Sequence, residues 1–234
     1  MAVSGQAQLP TAMEKGPRGR MKRLMLDTAI RLMQSGGSPS VSEVAEAAQV
    51  SRATAYRYFP SQAAMIQAAV DDALGPILDW SSGEADPEKR VAELFSFAYH
   101  RMQAYEATHR AALLLALDQW QRRQAGTLGV EPRVVRGNRR GLLKAAVDPL
   151  SDAIGKEATD RVTQALSLLF GIEAIIILKD IWGLDAKEAE HVASWAASAL
   201  IRTALEEAGE GETPVGKGAA KPGKGEGKTR KKGA

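Results

Sequence analysis

The stretch Val41-Ser42-Glu43-Val44-Ala45-Glu46-Ala47-Ala48-Gln49-Val50-Ser51-Arg52-Ala53-Thr54-Ala55-Tyr56-Arg57-Tyr58-Phe59-Pro60-Ser61 decides how this sequence is read. Ser40 and Glu43 have the spacing of a capping box, in which each side chain satisfies the other's backbone N–H, and they open a helix over 41–48. Gln49-Val50 makes a turn. Ser51 caps a second short helix over 52–58, and Pro60-Ser61 breaks the chain and caps the next one. Two short helices joined by a tight turn have the helix-turn-helix layout. Val41, Val44, Ala45, Ala48, Val50, Ala55 and Phe59 supply an apolar inner face. The second helix turns a different set outward: Arg52, Thr54, Tyr56, Arg57 and Tyr58. Guanidinium, hydroxyl and phenol groups make a poor core and suit a major groove flanked by phosphates. Arginine donates two hydrogen bonds to guanine, a threonine methyl touches thymine, and hydroxyls bond phosphate oxygens. The start of such a helix enters the groove first, which makes Arg52 the best candidate for reading a base. Ser51 leaves backbone N–H groups at the helix start for a phosphate. A solvated helix face with two exposed tyrosines is the alternative for the same residues.

Working outward, a helix over 18–34 carries Met21, Leu24, Met25, Thr28, Ala29 and Leu32 at helical spacing. The basic residues Lys15, Arg18, Arg20, Lys22 and Arg23 at its start suit contact with phosphates or a minor groove. Further helices are expected over 62–80, 88–105, 109–124, 136–153 (with a disturbance at Asp148-Pro149), 156–181 and 186–208. The fold class is therefore all-α: a three-helix helix-turn-helix head over 18–62 and a six-helix body over 63–208. Residues 1–17 read as a flexible basic arm. Residues 209–234 read as a disordered tail rich in Lys and Gly, which cannot bury apolar surface.

Charge follows the same division. The chain has 234 residues and a formal charge of +3. Residues 1–62 carry +4, residues 63–208 carry −5, and residues 209–234 carry +4. An acidic body between basic ends points to an anionic partner, nucleic acid first. The tail suits either an auxiliary DNA contact or a merely solvated terminus. No cysteine is present, which excludes disulfides, a thiolate nucleophile and cysteine-ligated metal. The first twenty residues lack the apolar run of a signal peptide, and the most apolar stretch, 165–178, is too short to span a bilayer. The expectation is a cytoplasmic protein with no membrane partner.

The stretch from Val41 to Ser61 resembles the DNA-binding signature of TetR-type transcriptional regulators in its Val-Ser turn exit, its Thr-x-Tyr-x-Tyr-Phe run and the Ser that opens the following helix. The resemblance covers about residues 18–66. It implies an all-α homodimer with a small reading head and a larger domain that binds a small effector and dimerises. It also implies that Thr54, Tyr56 and Tyr58 contact DNA. Three positions differ from the family pattern. Gln49 stands where the turn usually has Gly, and so has to hold a positive φ at some cost. Ala55 replaces a larger aliphatic residue. Gln62 replaces a Lys, so a phosphate contact there lacks the charge term. The DNA-binding set is then Ser51, Arg52, Thr54, Tyr56, Arg57, Tyr58, Gln62 and Arg20.

The body says less. Segment 156–181 is apolar nearly all round and needs cover on more than one side. With 186–208 it offers a two-fold four-helix interface through Leu169, Ile176, Val192, Trp195, Ala199 and Thr203. The alternative is that both segments serve a monomeric core. Glu173 stands alone in the apolar run, and a buried carboxylate needs a partner. It is expected either to meet an arginine across the core or to face a pocket, for which Phe97, Arg101, Trp120, Phe170 and Glu173 are the candidate ligand-binding residues. His100, His109 and His191 show no paired ligand spacing, so no metal site is expected. No hydrolase, P-loop or dinucleotide fingerprint occurs, so no cofactor is expected either. The expected function is a sequence-specific, DNA-binding transcriptional regulator, a repressor released by a small-molecule effector and bound to a palindromic operator in double-stranded DNA. The alternatives are a ligand-independent architectural DNA-binding protein and, in a different class, an enzyme built on the helical body.

Overall fold

A computed structural model describes residues 16–130, 134 and 139–211, and all of its regular structure is helical. The head consists of α1 (Pro17–Gln34), α2 (Val41–Ala47) and α3 (Arg52–Tyr58). Pro17 sits in the first turn of α1, where its missing N–H costs nothing. The capping box at α2 is complete: Ser40 Oγ accepts from the Glu43 N–H at 3.2 Å, and the Ser40 N–H donates to Glu43 Oε2 at 2.7 Å. The exposed Glu43 carboxyl is held below its usual range chiefly by that backbone hydrogen bond. Met25, Ala29, Met33, Val44, Ala45, Ala55 and Phe59 form the head's core, joined by Met65, Ile66 and Ala69 of the next helix.

The body begins with α4 (Gln62–Leu78), α5 (Pro87–Ala104) and α6 (Glu106–Gln124). It continues with α7 (Arg139–Val147), a 3-10 turn at Asp148–Leu150, and α8 (Ser151–Leu169). After α9 (Ile172–Ile176) come widened turns over Ile177–Ile181, and α10 (Ala186–Gly211) closes the fold. The disturbance expected at Asp148-Pro149 is the 3-10 turn. Segment 156–181 is not one helix. It breaks at Phe170-Gly171, where Gly171 takes φ 140° and ψ 179°, a conformation open only to glycine. The expected arm lies outside the described residues up to residue 15. The same holds for the tail from residue 212 and for the start of the helix expected at 136.

Pro76 lies inside α4 and has no N–H for the carbonyl four residues earlier, that of Asp72. Arg101 on α5 supplies the missing donor: its Nη2 donates to Asp72 O at 3.1 Å and its Nε to Ala73 O at 2.6 Å. The same guanidinium lies over the Tyr105 ring, 4.8 Å from its centroid. On α1, Arg23 pairs with Asp72, which fixes the head to the helix that enters the body.

The body core gathers around Phe95, Tyr99, Leu143, Leu150, Leu166 and Ile175, all buried. Phe95 stacks on Tyr99 and meets Phe170 edge-on at 5.3 Å. The Tyr99 hydroxyl donates to Leu169 O at 2.6 Å, and burial raises its pKa well above the usual tyrosine value. The two cores meet at α6, where Ala111 and Ala112 belong to the head's cluster although they lie in the body's sequence. No single helix among the described residues is long and apolar enough to cross a membrane.

Candidate nucleic-acid interface and the adjoining cavity

The geometry of α3 follows from its one buried residue. Ala55 is fully covered and Phe59, just past the helix, is nearly so. These two anchor the helix on α2, so Arg52, Ala53, Tyr56 and Arg57 lie outside. Ser51 caps the helix: its Oγ accepts the Thr54 N–H at 3.1 Å and donates to Thr54 Oγ1 at 2.9 Å. The turn before it holds Gln49 at φ 56°, and it is the only non-glycine with positive φ among the described residues. Tyr56 is 46% exposed, with its hydroxyl 3.4 Å from that of Ser42 on α2. The Arg57 guanidinium lies over the half-buried Tyr58 ring at 5.5 Å. Arg52 is exposed.

The neighbouring positions divide differently from expectation. Arg20 and Arg18 are exposed but lie inside α1, so a helix presents them rather than an extended arm. Arg23 is taken by Asp27 and Asp72. Lys15 lies outside the described residues. Gln62 points its amide into the α1–α2 loop, donating to Ser38 O at 2.9 Å and Pro39 O at 3.1 Å. In this arrangement it ties α4 to the start of α2, and its donor is not turned to solvent.

A cavity of about 90 Å³ lies where the two cores meet. Val70, Leu74 and Ile77 of α4 line it, with His109, Ala112 and Leu113 of α6. Met102, Leu142, Phe170, Ile172, Arg139 and Glu173 complete most of the wall. Arg139 is a hub. Its Nη2 donates to both Glu173 oxygens at 2.7 and 2.9 Å, and its Nη1 donates to the carbonyls of Phe170 at 2.9 Å and Ser167 at 3.2 Å. It therefore satisfies carbonyls at the end of α8 while pairing with the first turn of α9. Only glycine fits at 171: a Cβ there would stand 2.7 Å from Arg139 Nη1.

Of the candidate ligand residues, Phe170 and Glu173 do line the cavity. Glu173 pairs with Arg139 and also lies on the cavity wall. Phe97 and Trp120 do not line it; they lie on exposed faces of α5 and α6, Trp120 at 58%. Arg101 is removed as well, because its guanidinium serves the carbonyls beside Pro76. His109 and Arg139 were not foreseen as lining residues. The isolated Glu173 was the signal for an arginine partner, but nothing in the sequence says which arginine. His109 is 8% exposed, and its pKa is pushed down to about 4, first by burial and then by the Arg101 charge, with Glu173 opposing. Among the described residues no group of three or more His, Asp or Glu is placed to hold a metal ion.

The apolar surface expected to dimerise is only partly exposed. Leu169 and Ile176 are half-buried and pack on the body core. Leu168 faces outward instead, at 76% exposure. On α10, Val192 and Trp195 are exposed, Trp195 at 64%, in line with Ala199 and Thr203 at three-and-four spacing.

Residues 25–69 match the family model described as "Bacterial regulatory proteins, tetR family". No curated protein matches the chain. Among solved structures, the chain is similar to the "Crystal structure of a TetR transcriptional regulator from Rhodococcus sp. RHA1". The two share 21% sequence identity and a TM-score of 0.51, over 78% of this chain and 96% of that one. At that identity the likeness concerns the fold.

Proposed function

We propose that this chain is a DNA-binding transcriptional regulator of the TetR type, supported by the family match over residues 25–69, and that it works as a homodimeric repressor that leaves its operator when a small effector occupies the cavity. The observation that carries the reading is the outer face of α3, where Arg52, Tyr56 and Arg57 are exposed on a helix anchored by Ala55 and Phe59. In the proposed complex Arg52 and Thr54 meet base edges. Ser51, Tyr56, Arg57 and Tyr58 meet phosphates, and Arg20 meets the flanking backbone. Gln62 acts one step away, holding α2 and α4 together beneath the reading helix.

Dimerisation is supported by the outward face of α10 and by Leu168, which together leave large apolar side chains uncovered in the isolated chain. A two-fold dimer sets two heads about one helical turn of DNA apart, or a multiple of it, which fits a palindromic operator. The effector site is supported by the cavity's position. Helices α4 and α6 contribute both to its wall and to the head's core. Effectors of ordinary size need about 300 Å³ or more, so seating one in about 90 Å³ moves those helices apart. The arrangement with the wider cavity then binds effector better and DNA worse, as a population shift requires.

Mapping the sites that the full chain occupies on its genome, together with light scattering of the purified protein, tests this. The reading expects a dimer and a recurring inverted repeat. A monomer at micromolar concentration removes the dimer. Occupancy without a recurring sequence favours an architectural binder.

A further inference from the structure

We infer that the cavity takes an uncharged, largely apolar small molecule bearing one hydrogen-bonding group, a hydroxyl or a carbonyl, seated against Nε2 of His109. This names the ligand chemistry of the site and rests on reading the cavity as the effector site.

The inference starts from an unmet polar atom. Two buried side-chain atoms among the described residues have no hydrogen-bond partner: Thr108 Oγ1 and His109 Nε2. Thr108 does not line the cavity, whereas His109 belongs to its wall, with Nε2 itself covered in this arrangement and reached by a ligand once α4 and α6 move apart. Buried polar atoms nearly always find a partner, since leaving one unmet costs about 1–3 kcal/mol. A ligand group placed there recovers that cost, and so gains more at this point than anywhere else on an apolar wall. A neutral imidazole offers a donor or a lone pair at Nε2 according to its tautomer. A hydroxyl serves either, and a carbonyl serves the donor form.

Charge decides the rest. Among the described residues two charged side chains reach the wall, Arg139 and Glu173, and they pair with each other. The Arg139 guanidinium is further committed to the Phe170 and Ser167 carbonyls, so among the described residues an anionic head finds no unengaged cation on the wall, and it finds the Glu173 carboxylate close by. A cationic head has to compete with a bidentate guanidinium for Glu173. Arg101, whose charge is felt at His109, holds its guanidinium on the α4 carbonyls and is not part of the wall. The remaining surface, Val70, Leu74, Ile77 and Leu142 among it, is hydrocarbon. A ligand that loses its water there is favoured in proportion to its apolar area and penalised for any unpaired charge.

A matched ring series tests this on the full-length protein: cyclohexanol, cyclohexane and cyclohexanecarboxylate. Affinities in wild type and variants are read by isothermal titration calorimetry, and contact at His109 from the His ring signals in ¹⁵N NMR of the wild type, with the His109 signal identified by its loss in His109→Gln. Cyclohexanol is expected to move the His109 signal. Its affinity relative to cyclohexane is expected to fall by about three- to tenfold in His109→Leu, the range of one hydrogen bond, and His109→Gln is expected to retain part of it. Tightest binding by the carboxylate, an unchanged alcohol-to-hydrocarbon ratio in His109→Leu, or no binding by any of the three overturns the inference. Release of operator DNA, measured in parallel, separates the two readings. Alcohol binding at His109 without DNA release overturns the effector reading and leaves the ligand chemistry standing.

Discussion

Replacing His109 with leucine is expected to flatten the acid limb of the protein's stability curve. In the fold the imidazole is buried on α6, and the Arg101 charge adds to the penalty on its protonated form, so its pKa falls to about 4 from 6.5 although Glu173 pulls the other way. In the unfolded chain histidine titrates near 6.5. Below that pH the unfolded state takes up a proton that the folded state refuses, so acid favours unfolding. The contribution is intact above about pH 6.5, declines as the pH falls, and is lost in full once the pH passes below about 4. A shift from 6.5 to about 4 corresponds to about 3 kcal/mol, of which about 2 kcal/mol falls between pH 7 and pH 5. Leucine carries no proton, so His109→Leu loses this dependence whatever its effect on stability at pH 7. Urea unfolding midpoints at several pH values measure it, with variants of the exposed His100 and His191 as controls. If wild type and His109→Leu lose stability in parallel from pH 7 to pH 5, His109 is not buried in the way described.

Two further substitutions follow from the backbone. Gly171→Ala places a Cβ 2.7 Å from Arg139 Nη1 and 2.9 Å from Glu173 Oε2, at a φ of 140°. It is expected to cost at least about 1–3 kcal/mol in thermal unfolding, and an unchanged melting temperature contradicts the Arg139–Gly171–Glu173 arrangement. Gln49→Gly removes a left-handed strain of about 1–2 kcal/mol and adds about 0.5–1 kcal/mol of glycine entropy to the unfolded chain. The expected net gain, between nothing and about 1.5 kcal/mol, raises the melting temperature by about 2–4 °C for each kcal/mol in a chain of this size. A lower melting temperature shows that the side chain of Gln49 makes a contact worth more than the strain.

The head was legible because its signals are local. A capping box, a serine cap, a turn residue forced to positive φ and one apolar stripe all lie within about twenty residues, and α2 and α3 form where those signals put them. The body was legible in class but not in detail, because its decisive contacts are distant in sequence. The apolar pattern of 156–181 runs on across Gly171, and the break there is tied down by Arg139 of α7, which no local pattern shows because it binds the Phe170 and Ser167 carbonyls from 31 and 28 residues away. Helical spacing groups Phe97 with its neighbours, and likewise Trp120, but it does not say whether a face is covered; both are exposed. Arg101 sits beside aromatics as a pocket residue might, yet its partner is a backbone carbonyl freed by Pro76, a position 25 residues earlier in the sequence. His109 resembled any dispersed histidine until α4 and α9 closed around it.

The central claim is that α3 reads base edges through Arg52. The most direct measurement is the affinity of wild type and Arg52→Ala for the operator and for a scrambled duplex of equal length, at one fixed salt concentration. The account predicts a loss of about 1–3 kcal/mol on the operator and much less on the scrambled duplex. Equal losses on both duplexes would reduce Arg52 to a phosphate contact, and no loss on either would contradict the assignment of α3 as the reading helix.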